Sequence, residues 1–102
     1  MKTDVITVYG AAWCGDTRLT RAHLGELGIS YQYVDVDADT SAQEWVLRQN
    51  DGKQKLPTVD VGGLVLSIPS DGELDTALRR QGFLRHSNEI DALGSDQPGG
   101  IA

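Results

Sequence analysis

A single cysteine, Cys14, stands where an apolar run gives way to a helical pattern, and its thiol is the group best placed for chemistry. Residues 5–9 are rich in β-branched side chains and predict a central strand, whereas the chain from Asp16 onward has helical spacing. A thiol at the start of a helix meets free backbone N–H groups and the positive end of the helix dipole, which favour the thiolate. The position therefore predicts a reactive nucleophile.

A buried structural role is the competing interpretation, because a lone cysteine usually behaves as a small hydrophobic side chain. Against it, Cys14 is followed by Gly15, Asp16 and Thr17 in a predicted loop rather than on an apolar helix face. Loops at the carboxyl ends of parallel strands are where open α/β sheets bind ligands. Since the chain has one cysteine, any disulfide that Cys14 forms must involve another molecule.

Length, charge and hydropathy exclude several classes of protein. A chain of 102 residues predicts one domain, and a net charge of −6 makes nucleic acid an unexpected partner, since phosphate binding needs clustered cations. No apolar run approaches the roughly 20 residues of a membrane helix, and the N-terminus lacks the pattern of a signal peptide. We therefore expect no membrane association and a cytoplasmic location.

The hydrophobic patterns predict an α/β fold with the element order β-α-β-α-β-β-α. Helix one is expected from the cysteine to about Leu27, where Gly28 ends it, and a second strand over residues 29–36. Strand, helix and strand form a βαβ unit with two parallel strands. Thr40 or Ser41 is expected to cap the second helix, and the acidic residues before it predict a solvated turn with negative charge at the helix N-terminus.

A β-hairpin and a third helix complete the predicted domain. Two short β runs flank Gly62-Gly63, which is the strongest hairpin signal in the chain. Ser70 or Asp71 is expected to cap the third helix, since Ser70 and Glu73 have the spacing of a capping box. The prediction is thus a four-stranded mixed sheet with helices on both faces in residues 1–84. Residues 85–102 are expected to form a short helix or a mobile tail.

This order, with Trp13-Cys14-Gly15 heading helix one and Leu56-Pro57 before a hairpin, resembles the thioredoxin fold in its glutaredoxin form. Among glutaredoxins the chain is most similar to the mycoredoxins, over about residues 4–82. The resemblance implies that Cys14 attacks a mixed disulfide between a protein and a low-molecular-weight thiol. It also implies that Pro57 is a cis-proline facing that cysteine.

The same resemblance implies a set of residues around the small thiol and its protein substrate. Thr58 would offer backbone groups to an extended thiol, and the turn at Ser70 and Asp71 would border its groove. The residues implied in binding are Trp13, Gly15, Asp16, Leu56, Pro57, Thr58, Ser70 and Asp71. The implied partners are S-thiolated proteins and the small thiol, and a monomer without metal is expected.

The chain departs from the family pattern at Thr17, which occupies the position of the second cysteine. A hydroxyl there cannot form a disulfide, but it can donate a hydrogen bond to the Cys14 thiolate. Cys14 and Thr17 are therefore the expected catalytic residues of a monothiol cycle. Asp16 replaces a common aromatic residue, and its charge suits a helix N-terminus but opposes thiolate formation. Sequence alone leaves the pKa of Cys14 open.

A second departure concerns the choice of small thiol. Glutathione-using relatives usually carry a basic residue just before the motif, whereas Ala11 and Ala12 stand here. Only Arg18, Lys53 and Lys55 could supply positive charge near the site. Since mycothiol is an uncharged, sugar-linked cysteine, the missing cation costs it little. Mycothiol is therefore the preferred thiol in this hypothesis, and glutathione remains an alternative.

Two functions of other classes stay open at this point. Monothiol relatives can hold a [2Fe–2S] cluster between two protomers, with one protein cysteine and one small thiol from each, which would make Cys14 a metal ligand. Asp16 would add negative charge beside that anionic cluster. The other possibility is a binding module that keeps the fold and has lost turnover, because a fold does not fix a function.

Overall fold

The β-branched run near the N-terminus forms β1 (Ile6–Gly10), an interior strand of a four-stranded sheet. The other elements follow in the predicted order: α1 (Gly15–Glu26), β2 (Gln32–Asp35), α2 (Thr40–Gln49), β3 (Thr58–Val61), β4 (Leu64–Ser67) and α3 (Asp71–Arg80). The computed structural model describes residues 3–84. The expected C-terminal extension, 85–102, lies outside these described residues.

The sheet has the strand order β2-β1-β3-β4, with β1 and β2 parallel and the other two pairs antiparallel. Helices α1 and α3 cover one face, where the buried core consists of Ile6, Val8, Leu24, Val59, Val61, Leu74, Ala77 and Leu78. Helix α2 covers the other face, around Ala11, Val36, Ala42, Val46 and Leu56. The predicted mixed sheet with helices on both faces is confirmed. Within residues 3–84, none of the helices is long and apolar enough to cross a membrane.

The second strand is shorter than the predicted 29–36. Its ladder with β1 begins at Gln32, because the Ile29 N–H donates to the Leu24 carbonyl at 3.0 Å and still belongs to the end of α1. Gly28 has a φ of 72°, the left-handed conformation expected of the glycine after a helix. The alternation of side chains before Gln32 therefore suggested a strand where the chain forms the turn that ends α1.

The expected cap of α2 is corrected by one residue. The N-cap is Asp39, whose carboxylate accepts a hydrogen bond from the Ala42 N–H at 3.0 Å, so the cap is neither Thr40 nor Ser41. A carboxylate at this position also lies at the positive end of the helix dipole. The acidic turn thus supplies the predicted negative charge at the helix N-terminus and also the capping side chain.

The hairpin and the start of α3 form as the sequence predicts. The turn residues Gly62 and Gly63 have φ values of 59° and 104°, as a two-residue hairpin loop between twisted strands requires. Ser70 is the N-cap of α3, accepting from the Glu73 N–H at 3.1 Å while Glu73 accepts from the Ser70 N–H at 2.9 Å. The predicted capping box is confirmed.

The end of β1 and the first turn of α1 approach each other closely at Gly10 and Thr17. The Thr17 side chain is fully buried. A Cβ atom placed on Gly10 would lie 2.5 Å from the Thr17 hydroxyl oxygen and would overlap its side chain. The absence of a side chain at Gly10 is therefore what allows Thr17 to pack there.

We predict that Gly10→Ala lowers the free energy of unfolding by about 2 kcal/mol, because the added methyl overpacks a rigid site. Urea denaturation measures the change. The matched control is Gly25→Ala in α1, where an added Cβ meets nothing within 4 Å. That variant is expected to gain about 0.5 kcal/mol from helix propensity. Equal effects of the two substitutions would contradict the packing account.

An ionic contact joins α1 to α3 on the same face of the sheet. His23 Nε2 lies 2.7 Å from an Asp75 carboxylate oxygen, and Nδ1 lies 3.6 Å from Asp71. The hydrogen bond to Asp75 raises the pKa of His23; burial opposes this, and the charges of Asp75, Asp71 and Glu26 add to it. The imidazolium is thus more stable in the folded chain than in the unfolded chain.

We predict a pH-dependent contribution of His23 to stability. Because its pKa is raised on folding, the stabilisation is present below the ordinary histidine value of about 6.5 and is lost as pH rises through the folded pKa. His23→Asn should cost about 1 kcal/mol at pH 5.5 and much less at pH 9, as measured by urea denaturation. The companion variant Asp75→Asn should show the same trend. A cost of His23→Asn that grows with pH would contradict this assignment.

Candidate active site

Cys14 is the N-cap residue of α1 and is partly exposed. Its φ and ψ are −85° and 120°, its N–H donates to the Ala11 carbonyl at 3.0 Å, and its carbonyl accepts from Arg18 at 3.2 Å. An N-cap side chain normally accepts hydrogen bonds from the second and third residues of the helix. Here those residues are Asp16 and Thr17, so the Cys14 sulfur stands where a serine or aspartate oxygen usually serves, although its side chain makes no cap hydrogen bond in this conformation.

The pKa of the Cys14 thiol is lowered from its ordinary value. Burial is the largest single influence and raises the pKa. Hydrogen bonds from the Thr17 hydroxyl and from the Thr17 and Asp16 N–H groups lower it by more in sum, while the Asp16 charge raises it. The sequence left the direction of this shift open, and hydrogen bonds at the helix start decide it towards a lower pKa.

Thr17 is held in a position that suits this role. Its hydroxyl oxygen accepts from the Ala11 N–H at 3.4 Å inside the protein, which leaves the hydroxyl proton for the sulfur. A hydroxyl that accepts one hydrogen bond while donating another is polarised by the first. The same residue therefore packs against Gly10 and stabilises the negative charge of Cys14.

The segment before β3 forms the opposite wall of the site. The Leu56–Pro57 peptide bond is cis, and the Cys14 Sγ–H donates to the Leu56 carbonyl at 3.6 Å. The structure thus brings together Cys14 and Pro57, residues that are far apart in the sequence. Leu56 is 7% exposed and Pro57 is fully buried, so this wall presents mainly backbone to the sulfur.

Thr58 lies inside the protein, although the resemblance implied that its backbone groups meet a bound thiol. It is fully buried between β1 and β4, where it pairs with Tyr9 and Ser67. Its hydroxyl donates to the Lys55 carbonyl at 2.7 Å and accepts from the Asn50 amide at 3.1 Å. Thr58 therefore fixes the loop that carries Pro57 and lies behind the binding surface.

Asn50 is a supporting residue that the sequence did not reveal. Its buried side-chain amide donates to Thr58 and to the Val46 carbonyl, and its carbonyl oxygen accepts from the Ser67 hydroxyl. Three elements, α2, β3 and β4, are joined by this one side chain. The segment Asn50-Asp51-Gly52 has the residue types of a helix end, and no local pattern signals a bond to a strand eight residues away.

Trp13 is 64% exposed beside Cys14, although it is a large apolar side chain. Its indole N–H donates to the Asp37 carboxylate at 2.7 Å, which holds the ring against the loop before α2. Asp37 belongs to the acidic turn before α2, and no local pattern pairs residues 24 positions apart. The ring therefore offers a fixed apolar surface next to the sulfur.

The turn at Ser70 begins next to Pro57, since the Ile68 N–H donates to the Pro57 carbonyl at 2.8 Å. Ser70 uses its hydroxyl in the cap of α3 and remains exposed. Asp71 faces His23, which lies nine residues beyond Cys14, or about 13 Å along the axis of α1. Asp71 can therefore meet only the far end of a thiol whose sulfur is at Cys14.

The remaining surface near Cys14 has little positive charge. Ala11 is fully buried, Ala12 is exposed, and the Arg18 guanidinium donates to the Ala12 carbonyl at 2.8 Å. Lys53 and Lys55 are exposed in the loop before Pro57. Gly15 and Asp16 are exposed at the start of α1, where their N–H groups face solvent or the sulfur. Among residues 3–84, the surroundings of Cys14 thus favour a negative charge on the sulfur and form no preorganised cationic site for a carboxylate of the bound thiol.

A separate groove of about 560 Å³ runs between β4 and α3. It is lined by the consecutive residues 64–67, by Pro69 and by one face of α3, and Cys14 does not contribute to it. In the described part of the chain, no three His, Cys, Asp or Glu side chains converge as they would around a metal ion. The chemistry therefore concentrates at the partly exposed sulfur.

Comparison with known proteins agrees with this arrangement. A model of the glutaredoxin family matches residues 6–66. A Mycobacterium tuberculosis protein named as a candidate glutaredoxin is 33% identical over 79 residues, which cover 76% of this chain and 94% of that protein. Mycoredoxin 1 of Corynebacterium glutamicum is 41% identical over 54 residues, or 53% of this chain and 66% of that protein.

Solved structures show the same fold. A thioredoxin-like protein matches with a TM-score of 0.66 and 26% identity, over 72% of this chain and 94% of that one. The glutaredoxin of Archaeoglobus fulgidus matches with a TM-score of 0.61 and 17% identity, over 72% and 85% of the two chains. The resemblance inferred from the motifs is confirmed, and the chain belongs to the glutaredoxin family of thiol–disulfide oxidoreductases.

Proposed function

We propose that this protein reduces mixed disulfides between proteins and a low-molecular-weight thiol by a monothiol cycle at Cys14, with mycothiol as the preferred thiol. The observation that carries the proposal is the placement of the chain's one cysteine. It caps α1, its pKa is lowered, and Thr17 stands where a second cysteine would be. One activated thiol without a resolving partner suits a substrate that brings the second thiol itself.

The cycle balances with two molecules of the small thiol. The Cys14 thiolate attacks the sulfur of the small thiol in the mixed disulfide, and the protein substrate leaves as a thiolate and takes up a proton. A second small-thiol thiolate then attacks the disulfide on Cys14, which releases the oxidised small-thiol dimer and restores the Cys14 thiolate. The reducing equivalent comes from the second, free small thiol, whereas the small thiol of the mixed disulfide stays at the disulfide level and leaves in the small-thiol dimer.

The surroundings of Cys14 support the choice of mycothiol. Glutathione carries carboxylates that relatives hold with a basic residue before the motif, and this chain has Ala11 and Ala12 there. The Arg18 guanidinium is engaged with a backbone carbonyl. An uncharged sugar-linked thiol needs no such cation. The similarity to mycoredoxin 1 of Corynebacterium glutamicum points the same way.

We predict that kcat/KM for a mycothiol mixed disulfide exceeds that for the glutathione mixed disulfide of the same protein by about tenfold. The loss of one ion pair to a substrate carboxylate is worth about 1.4 kcal/mol, which is that factor. The measurement is steady-state turnover with each small thiol as reductant. Equal reactivity of the two mixed disulfides would remove the mycothiol preference.

The matched variant for this experiment is Ala12→Lys, which adds a cation at an exposed position before the motif. It should raise turnover of the glutathione mixed disulfide and leave that of the mycothiol mixed disulfide nearly unchanged. Cys14→Ser should abolish both reactions. Residual turnover in Cys14→Ser would contradict the assignment of the nucleophile.

A further inference from the structure

Ile68 holds a strained backbone conformation at the end of β4. Its φ is 46°, in the left-handed region that β-branched residues rarely adopt because Cβ approaches the backbone. The following residue is Pro69, which further restricts the conformations open to Ile68. A residue in this region persists only where its surroundings over-determine it, and such residues cluster at functional sites.

Folding does not explain why this position carries a large apolar side chain. Ile68 is 45% exposed, so burial recovers only part of the hydrophobic free energy that its side chain could contribute. Glycine would adopt the same φ without steric cost. An isoleucine kept in strain and in contact with solvent therefore calls for a role outside the core.

The backbone of Ile68 places it at the reactive end of the sheet. Its N–H donates to the Pro57 carbonyl at 2.8 Å, and the preceding carbonyl, that of Leu56, accepts from the Cys14 Sγ–H at 3.6 Å. Two hydrogen bonds, one to each carbonyl of the Leu56–Pro57 segment, thus link Ile68 to the Cys14 sulfur. Ser70, which starts α3, is only two residues further along the chain.

The side chain of Ile68 does not belong to the groove between β4 and α3. Its neighbours Ser67 and Pro69 both line that groove, whereas Ile68 does not. The left-handed turn thus interrupts the run of groove-lining residues at Ile68. The exposed alkyl group therefore belongs to a residue outside the groove whose backbone is bonded to that of Pro57.

We propose that Ile68 determines specificity in this protein, as an apolar contact for the carbon skeleton of the small thiol whose sulfur is attacked by Cys14. The proposal rests on the function proposed above and names a residue that contacts its substrate. Trp13 offers apolar surface adjacent to the sulfur, and Ile68 offers it from the end of β4. Backbone strain is the cost of presenting this side chain.

The test measures binding of an unreactive thioether, so that it does not depend on turnover. The S-methyl derivatives of mycothiol and of glutathione are titrated calorimetrically into the reduced protein, and the tighter of the two is used thereafter. Ile68→Gly and Ile68→Ala should each raise its Kd by about tenfold, since both remove the alkyl contact. Only Ile68→Gly should also raise Tm, by roughly 4 °C, because alanine keeps the strained Cβ.

Val5 supplies the matched control. It is β-branched and 45% exposed like Ile68, but it lies next to the hairpin at the other end of the sheet, where its carbonyl accepts from Gly62. Val5→Ala should leave Kd unchanged.

Unchanged Kd values in both Ile68 variants of a protein that binds the thioether would overturn the proposal and leave the redox function intact. An unchanged Tm in Ile68→Gly would overturn the strain argument. A wild-type protein that neither binds a thioether nor reduces a mixed disulfide would overturn the proposed function and this inference together.

Discussion

The contact between the end of β1 and the first turn of α1 is the constraint on which the site depends. Gly10 has no side chain, so Thr17 can pack directly against the strand and fix the direction in which α1 begins. That direction decides where the N–H groups of Asp16 and Thr17 point. Cys14, as the N-cap, stands at this end of the helix, and these groups lower its pKa. A packing requirement in the core thus sets the acidity of a thiol at the surface.

The sheet topology supplies the other half of the site. Because β3 runs antiparallel to β1, its beginning lies at the end of β1, and the Leu56–Pro57 segment therefore meets Cys14. Asn50 and Thr58 fix that segment from behind through buried hydrogen bonds. The thiol is consequently flanked by two rigid walls, and the open side is where a disulfide can approach.

Local patterns in the sequence predicted much of this arrangement. The β-branched run, Gly62-Gly63 and the spacing of Ser70 and Glu73 each determine structure through near neighbours, and each element was predicted correctly. The position of Cys14 at the strand–helix junction was likewise predictable from its near neighbours in the sequence. These features need only backbone preferences and side chains within one turn.

Features that depend on residues distant in sequence were missed or misplaced. The hydrogen bond between Trp13 and Asp37 spans 24 positions, and an acidic turn gives no sign of such a partner. The resemblance implied that Thr58 offers backbone groups to the small thiol, whereas the strands on both sides bury the residue. The sequence does not distinguish Asp39 from Thr40 and Ser41 as the N-cap of α2, because all three residue types are favourable there.

The central claim is that hydrogen bonds at the start of α1 stabilise the Cys14 thiolate, and Thr17 donates the one that is open to substitution. The direct measurement is a titration of the thiolate ultraviolet absorbance in the wild type and in Thr17→Val. We expect a wild-type pKa below the ordinary cysteine value and a higher pKa in the variant, with part of the shift retained through the backbone N–H groups. A wild-type pKa at or above the ordinary value, or no change in Thr17→Val, would contradict the account.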